Sequence, residues 1–209
     1  MEYVLPQINI VAGPMFWDEN DPPADNILHA RLRAKHHGAA VLTYRPFLKM
    51  ILDRPRGSQH DPSAVCLHAG PSDGIPTKVL DFAERCIRAM ERSTSAFLGM
   101  KGQGRLIVTN VWGTSHAQWG NVIVLLGCYR DEILSRFIDE ETLKGHVRHV
   151  IDFLQSIAQP SSALKQDVRI LSYMVKSTGL MTAEELRELG VEDEEPMMEG
   201  SSFSSSAST

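Results

Sequence analysis

The sequence is short of the features that would take it out of the ordinary globular class. Its three cysteines, Cys66, Cys86 and Cys128, stand far apart with no CxxC or Cys/His spacing, so they build neither a zinc site nor a disulfide framework and read as buried thiols. The longest apolar stretch, Val122–Cys128, is interrupted by Gly127 and falls far short of the roughly 20 residues that a membrane span needs, so no membrane contact is expected. The N-terminus, MEYVLPQINIV, has no basic region ahead of an apolar block and no small-residue cleavage site, which argues against secretion and for an intracellular chain. A basic excess is missing as well. The formal net charge is -5, and residues 182–209 hold eight carboxylates against Arg187 alone, which leaves the remainder nearly neutral. Such a body offers no field for a phosphate backbone, and no direct binding of DNA or RNA by this chain is expected.

What is present is helical periodicity. With 209 residues and 43% hydrophobic content, one principal core is the expectation. After an N-terminal segment, residues 1–25, that reads as partly irregular, Asp25 is placed to cap a helix starting near Asn26, with Leu28, Leu32, Ala39 and Leu42 on one face. Pro46 predicts a kink or restart, followed by Phe47, Leu48, Ile51 and Leu52 as the apolar face of a second piece. Residues 53–75 are rich in Pro, Gly, Ser and Asp and predict a long flexible loop. Pro76 then suits a first helical turn. Val79, Ala83, Cys86, Met90 and Phe97 form a stripe that stops at Gly99, with Asp81–Arg85 and Glu84–Arg88 spaced to pair on the solvent face.

Further along, Leu143, Val147, Val150, Leu154 and Ile157 form one seam at spacings of four and three. Leu164, Val168, Leu171 and Val175 form another, ending at Gly179, and the two invite antiparallel packing. Thr182 and Glu185 predict a capping box on a short helix. The remainder, GVEDEEPMMEGSSFSSSAST, is acidic and then serine-rich, too poor in apolar residues to offset its ordering entropy. The fold class that results is all-α: an irregular multi-helix bundle with a helical domain over 26–180, a mobile loop, and a short helix plus disordered tail over 181–209.

The stretch NVWGTSHAQWGNVIVLLG, residues 110–127, carries the functional question. Read as a helix, it puts Gly113, Ala117, Gly120, Val124 and Gly127 along one line and Trp112, His116, Trp119, Ile123 and Leu126 along the next. Interior glycines cost roughly 0.8–1.0 kcal/mol each, which predicts that the small-residue line is pressed against a neighbouring segment. Ser115 and His116 would be the nucleophile and base of a hydrolase. Adjacent helical residues point about 100° apart and no GxSxG elbow surrounds the serine, so no catalytic residue is assigned. His116, Gln118 and Asn121 are instead expected to satisfy polar groups at helix junctions. Together with Trp112 and Trp119 they form the candidate ligand or packing site. GMKGQG, residues 99–104, follows a helix and not a strand, so it reads as a turn and not a phosphate cradle. His146 and His149 lack a third ligand at metal spacing, with His36 or His37 the only conceivable partners, and read as surface or capping residues. EDEEPMMEG mixes acids with methionines as some interaction segments do.

Several stretches taken together resemble a known family. In order they are WDENDPPADNILHARLRAKHHGAAVLTYRPFL, ERCIRAMERSTSAFLG, LIVTNVWGTSHAQWGNVIVLLGCYRD and FIDEETLKGHVRHVIDFLQSIAQPSSALKQDVRIL. They are similar to the C-terminal half of the regulatory, or middle homology, region of fungal zinc binuclear cluster transcription factors, over most of residues 16–176. RLRAK…GAAVLTYRPFL and TNVWGTSHAQWGN are the most specific pieces. The resemblance implies an all-α regulatory domain in a nuclear regulator of transcription by RNA polymerase II, contacting a small-molecule effector or the transcription machinery. It also implies an N-terminal six-cysteine cluster holding two zinc ions. The three scattered cysteines cannot supply that cluster, so no zinc ligand, cofactor or DNA-contact residue is carried over. The chain is then expected to be a half truncated from, split from or standing apart from its DNA reader. His36 and His37 depart from the aromatic or other residues of similar sequences. The alternative is a small all-α enzyme or ligand-binding protein with a pocket around Trp112, His116, Gln118 and Trp119. If upstream helices belong to the domain, an uncovered apolar face would favour self-association.

Overall fold

The structure, a computed structural model, describes residues 24, 26–54, 74–98, 111–158 and 163–191, with the side chains of 111 and 112 excepted. These residues form six α-helices and no strand: α1 Ile27–Leu52, α2 Thr77–Ser95, α3 Val111–Tyr129, α4 Glu140–Ile157, α5 Ala163–Thr178 and α6 Ala183–Glu188. The all-α expectation holds. Residues 1–23, most of the predicted loop, the GMKGQG turn, Cys66 and the acidic tail beyond Val191 lie outside the described residues.

Helices α1 and α2 pack antiparallel along a seam of alternating four- and three-residue steps. Ala30, His37, Leu48 and Ile51 are buried on α1, with Ala34, Val41 and Tyr44 between them, and they meet Ala83, Cys86, Met90 and Ser93 on α2. The backbones come close where side chains are small: Ser93 Oγ donates to the Ala34 carbonyl at 3.2 Å and Cys86 Sγ reaches the Val41 carbonyl at 3.8 Å. At the other end Phe82 packs on Tyr44 and Phe47, with ring centroids 5.6 and 4.6 Å apart. Helix α3 is the central element. It packs against α2, α4 and α5 and sends Val122, Leu125, Leu126 and Cys128 into the main core, where the α4 and α5 seams close over them. Both predicted seams are buried as read, apart from Ile157, which is half-buried at the edge of the core.

Several local expectations are corrected. Asn26, not Asp25, caps α1, its side chain accepting from the His29 N–H at 2.9 Å. The buried face of α1 is not the one holding the largest residues: Leu28 and Leu42 are 62% and 71% exposed, while Ala30 is fully buried. The reason is that the close α1–α2 approach admits alanine and a flat imidazole where leucine would hold the helices apart. Pro46 does not restart the helix. It sits on the exposed side of a continuous α1, where water can hydrate the carbonyl that its missing N–H leaves free. On α2, Arg85 turns over the Tyr44 and Phe82 rings and Arg88 pairs with Glu91 at 3.0 Å, in place of the i,i+4 pairs foreseen.

The connection from α3 to α4 is built on Asp131. Its Oδ1 accepts from the N–H groups of Ile133 and Leu134 at 3.0 and 3.1 Å and from Arg54 Nη2 at 3.1 Å, tying the end of α1 to this turn. Burial pushes this carboxyl up, but those three donors together hold it below the usual carboxylate range. Asp139 caps α4, and the Thr182/Glu185 capping box on α6 is present as the spacing foretold.

Candidate functional site

The candidate residues all sit on the N-terminal half of α3, which lies between α2 on one side and α5 on the other. Ser115 and Gln118 are buried, in line with Val122 and Leu125, because this is the face turned to the protein interior. The small-residue line is not. Gly113 and Ala117 are exposed, and a Cβ added at Gly120 or Gly127 would meet nothing within 4 Å. The expected close packing of that line is therefore overturned. The interior instead takes the stripe one side over, where Val122, Leu125 and Leu126 have more apolar area to bury.

Ser115 and His116 part company as the helical geometry requires. Ser115 is fully buried, whereas the His116 side chain is 49% exposed and turns to α5, its Nε2 3.7 Å from Asp167 Oδ2. Trp119 follows it, donating Nε1–H to the Asp167 carbonyl at 3.0 Å. Gln118 and Asn121 face α2: Gln118 Nε2 donates to the Ser93 carbonyl at 3.2 Å and Asn121 Nδ2 to Thr94 Oγ1 at 3.4 Å. The pocket in which Trp112, His116, Gln118 and Trp119 would converge is thus divided between two faces of one helix, and the Trp112 side chain lies outside the described residues. Asp167, Ser93 and Thr94 carried no signal in the sequence, since each depends on which helix lies opposite.

A different concavity does form. Between α1, α2 and α3 runs an open groove of about 550 Å³. Ala34, Gly38, Val41 and Leu42 wall it on α1; Gly113, Ala117 and Asn121 wall it on α3; Ser93, Phe97 and Gln118, all buried, make its floor. Arg31 and Lys35, one turn apart on α1, stand at its edge, and no carboxylate lines it among the described residues. Gln118 is 1% exposed and its Oε1, without accessible surface, has no hydrogen-bond partner. Such a group is costly to leave unpaired, by about 1–3 kcal/mol. The i,i+4 pair Arg31/Lys35 on a carboxylate-free α1 was visible in the sequence; the groove was not.

His146 and His149 are corrected from surface to buried positions, 4% and 5% exposed on α4. Burial, reinforced by neighbouring His149, pushes His146 down to about 4. They lie apart from His36 and His37, which pack edge to face with each other on α1. Among the described residues no group of three or more His, Cys, Asp or Glu is arranged to hold a metal ion, and no helix is long and apolar enough to cross a membrane. The fold and groove together define an all-α body with an open, apolar, cation-edged surface groove. No family model matches the chain, and neither a curated protein nor a solved structure matches it.

Proposed function

We propose that this chain is a non-catalytic regulatory domain fragment of the fungal zinc-cluster transcription factor kind, acting in the nucleus on transcription by RNA polymerase II through contact with an effector or partner. The reading draws on the ordered resemblance of residues 16–176. The observation that supports it is the open groove of about 550 Å³ between α1, α2 and α3, with Arg31 and Lys35 at its edge and apolar walls. Regulation follows if the groove is filled in one state of the protein and empty in another. An effector with different affinity for the two states moves the balance between them, and a 1.4 kcal/mol difference in affinity is worth a factor of about ten.

The test is a tethered reporter. The whole chain is placed between a heterologous DNA-binding domain and an activation domain in a fungal nucleus, and reporter output is compared with the same fusion lacking it. Output should change severalfold, and Ala117→Trp, which fills the groove from an exposed position, should alter that change. A reporter indifferent to the chain would count decisively against the regulatory reading.

A further inference from the structure

The groove between α1 and α3 continues into an uncovered face of α1. Leu28, Ala39, Leu42, Pro46 and Met50 are exposed along one side of that helix, with Leu28, Leu42 and Met50 at 62%, 71% and 61%. At the helical repeat they form one stripe, about 33 Å from end to end. Leu42 is also part of the groove wall, so stripe and groove make one surface. Scattered exposed apolar residues are ordinary, whereas an apolar stripe running into a concavity marks a contact surface. Charge on this surface is of one sign. Helix α1 holds Arg31, Arg33, Lys35, Arg45 and Lys49 and no carboxylate, and α3 holds no lysine, arginine or carboxylate. Lys35 is exposed between Leu28 and Leu42, on the same side of α1.

Shape and charge together select the occupant. A second copy seated on this surface about a two-fold axis would set one α1 stripe against the other, cations facing cations with no carboxylate on either helix. A flat bilayer surface reaches Leu28 and Met50 but not the concave space walled by Gly38 and Ala117. A phosphate backbone answers the cations yet leaves the leucines and the methionine in water. An extended peptide has no strand edge to join among the described residues. An amphipathic helix satisfies every feature. Gly38 on one wall and Gly113 and Ala117 on the other let its backbone come close, and a Cβ added at Gly38 would meet nothing within 4 Å. From Arg31 to Leu42 the groove runs about 17 Å along α1, room for about three turns of such a helix.

We infer that the groove between α1 and α3 takes an acidic amphipathic helix of a partner protein, its apolar face against Ala34, Gly38, Leu42 and Ala117 and its acidic flank along Arg31 and Lys35. Apolar burial supplies the affinity, and the cations steer the encounter and set which flank faces α1. The inference rests on the groove being the regulatory contact surface and names the chemistry of the partner that uses it.

The experiment titrates the full chain, 15N-labelled, with a fluorescent stapled helix of about 16 residues, leucine along one face and glutamate along the rest. Two control peptides keep its length: one has lysine for every glutamate, the other has the leucines spread around the helix. Fluorescence anisotropy should give micromolar binding of the acidic amphipathic helix and about tenfold weaker binding of both controls. Amide shifts should centre on Gly38, Gly113 and Ala117. Lys35→Glu and Ala117→Trp, each matched to the unmodified chain in helix content by circular dichroism, should each weaken binding by about threefold or more. No binding, equal binding of either control, shifts elsewhere, or an affinity indifferent to either variant would overturn the inference. So would a dimer in sedimentation that Ala117→Trp dissolves, or binding to phosphatidylserine vesicles, lost in Lys35→Glu, by a chain that ignores the peptide. Peptide binding with a silent reporter sinks only the transcriptional reading; an active reporter without peptide binding sinks only the helical partner.

Discussion

Replacing Gly120 and Gly127 by alanine is the sharpest check on how α3 is seated. Both lie inside a 19-residue helix, and a Cβ built at either has no heavy atom within 4 Å apart from the helix's own backbone and its chain neighbours. The alanine therefore gains helix propensity without a clash, about 0.8–1.0 kcal/mol at each position, partly by restricting the unfolded chain. The sites are two helical turns apart, about 10 Å, so their effects should add to about 2 kcal/mol. For a domain of this size that raises the melting midpoint by about 4–8 °C. Urea unfolding followed by circular dichroism should show a higher midpoint at unchanged slope. Gly179→Ala is the internal control. At φ 72 the left-handed conformation costs a residue with a Cβ about 1–2 kcal/mol, so the same chemical change should destabilise there. If Gly120→Ala and Gly127→Ala lowered stability, that face would be pressed against another segment, and the account of α3 given above would be wrong.

Three further outcomes are expected. His37 and His146 are pushed down to about 4, first by burial and then by His36 and His149 respectively, so between pH 6.5 and 4 the unfolded chain takes up protons that the folded one refuses. Stability must fall on acidification through that window, by about 2 kcal/mol between pH 7 and 5 from the His146 contribution alone; chemical denaturation across pH reads this, and a flat profile would refute it. Thr182→Ala removes the Thr182 Oγ1 half of the α6 capping box, leaving the backbone N–H of residue 182 on the Glu185 carboxylate, and should cost about 1 kcal/mol, seen first as faster amide exchange around Leu186; unaltered exchange would show that half of the cap to be idle. Burial pushes the thiols of Cys86 and Cys128 up to about 11 and about 12, so native protein at pH 8 should leave both unlabelled by iodoacetamide and urea should expose both; labelling of either in the native state would contradict their burial.

The division between sequence and tertiary structure follows the range of the interactions. Helix type and extent were legible because they are set by neighbours three and four residues away. The Leu143–Leu154 and Leu164–Val175 seams and the Thr182/Glu185 box needed nothing more distant than one or two turns. Which face of a helix is buried was legible only where one stripe was plainly the most apolar. On α1 the seam is Ala30, His37 and Val41 while Leu28 and Leu42 stand in solvent. That outcome depends on how closely α2 approaches, which no spacing in α1 encodes. On α3 the glycines suggested a tight contact, yet the neighbours took the adjacent stripe. Asp167 beside His116 and Ser93 beside Gln118 come from 51 and 25 residues away, and their pairing exists only once the helices are stacked. Composition and periodicity thus determined an all-α chain and its elements. The groove, its orphaned Gln118 oxygen and the burial of His146 were decided by the packing of helices remote in sequence, because a concavity belongs to the space between elements and not to any one of them.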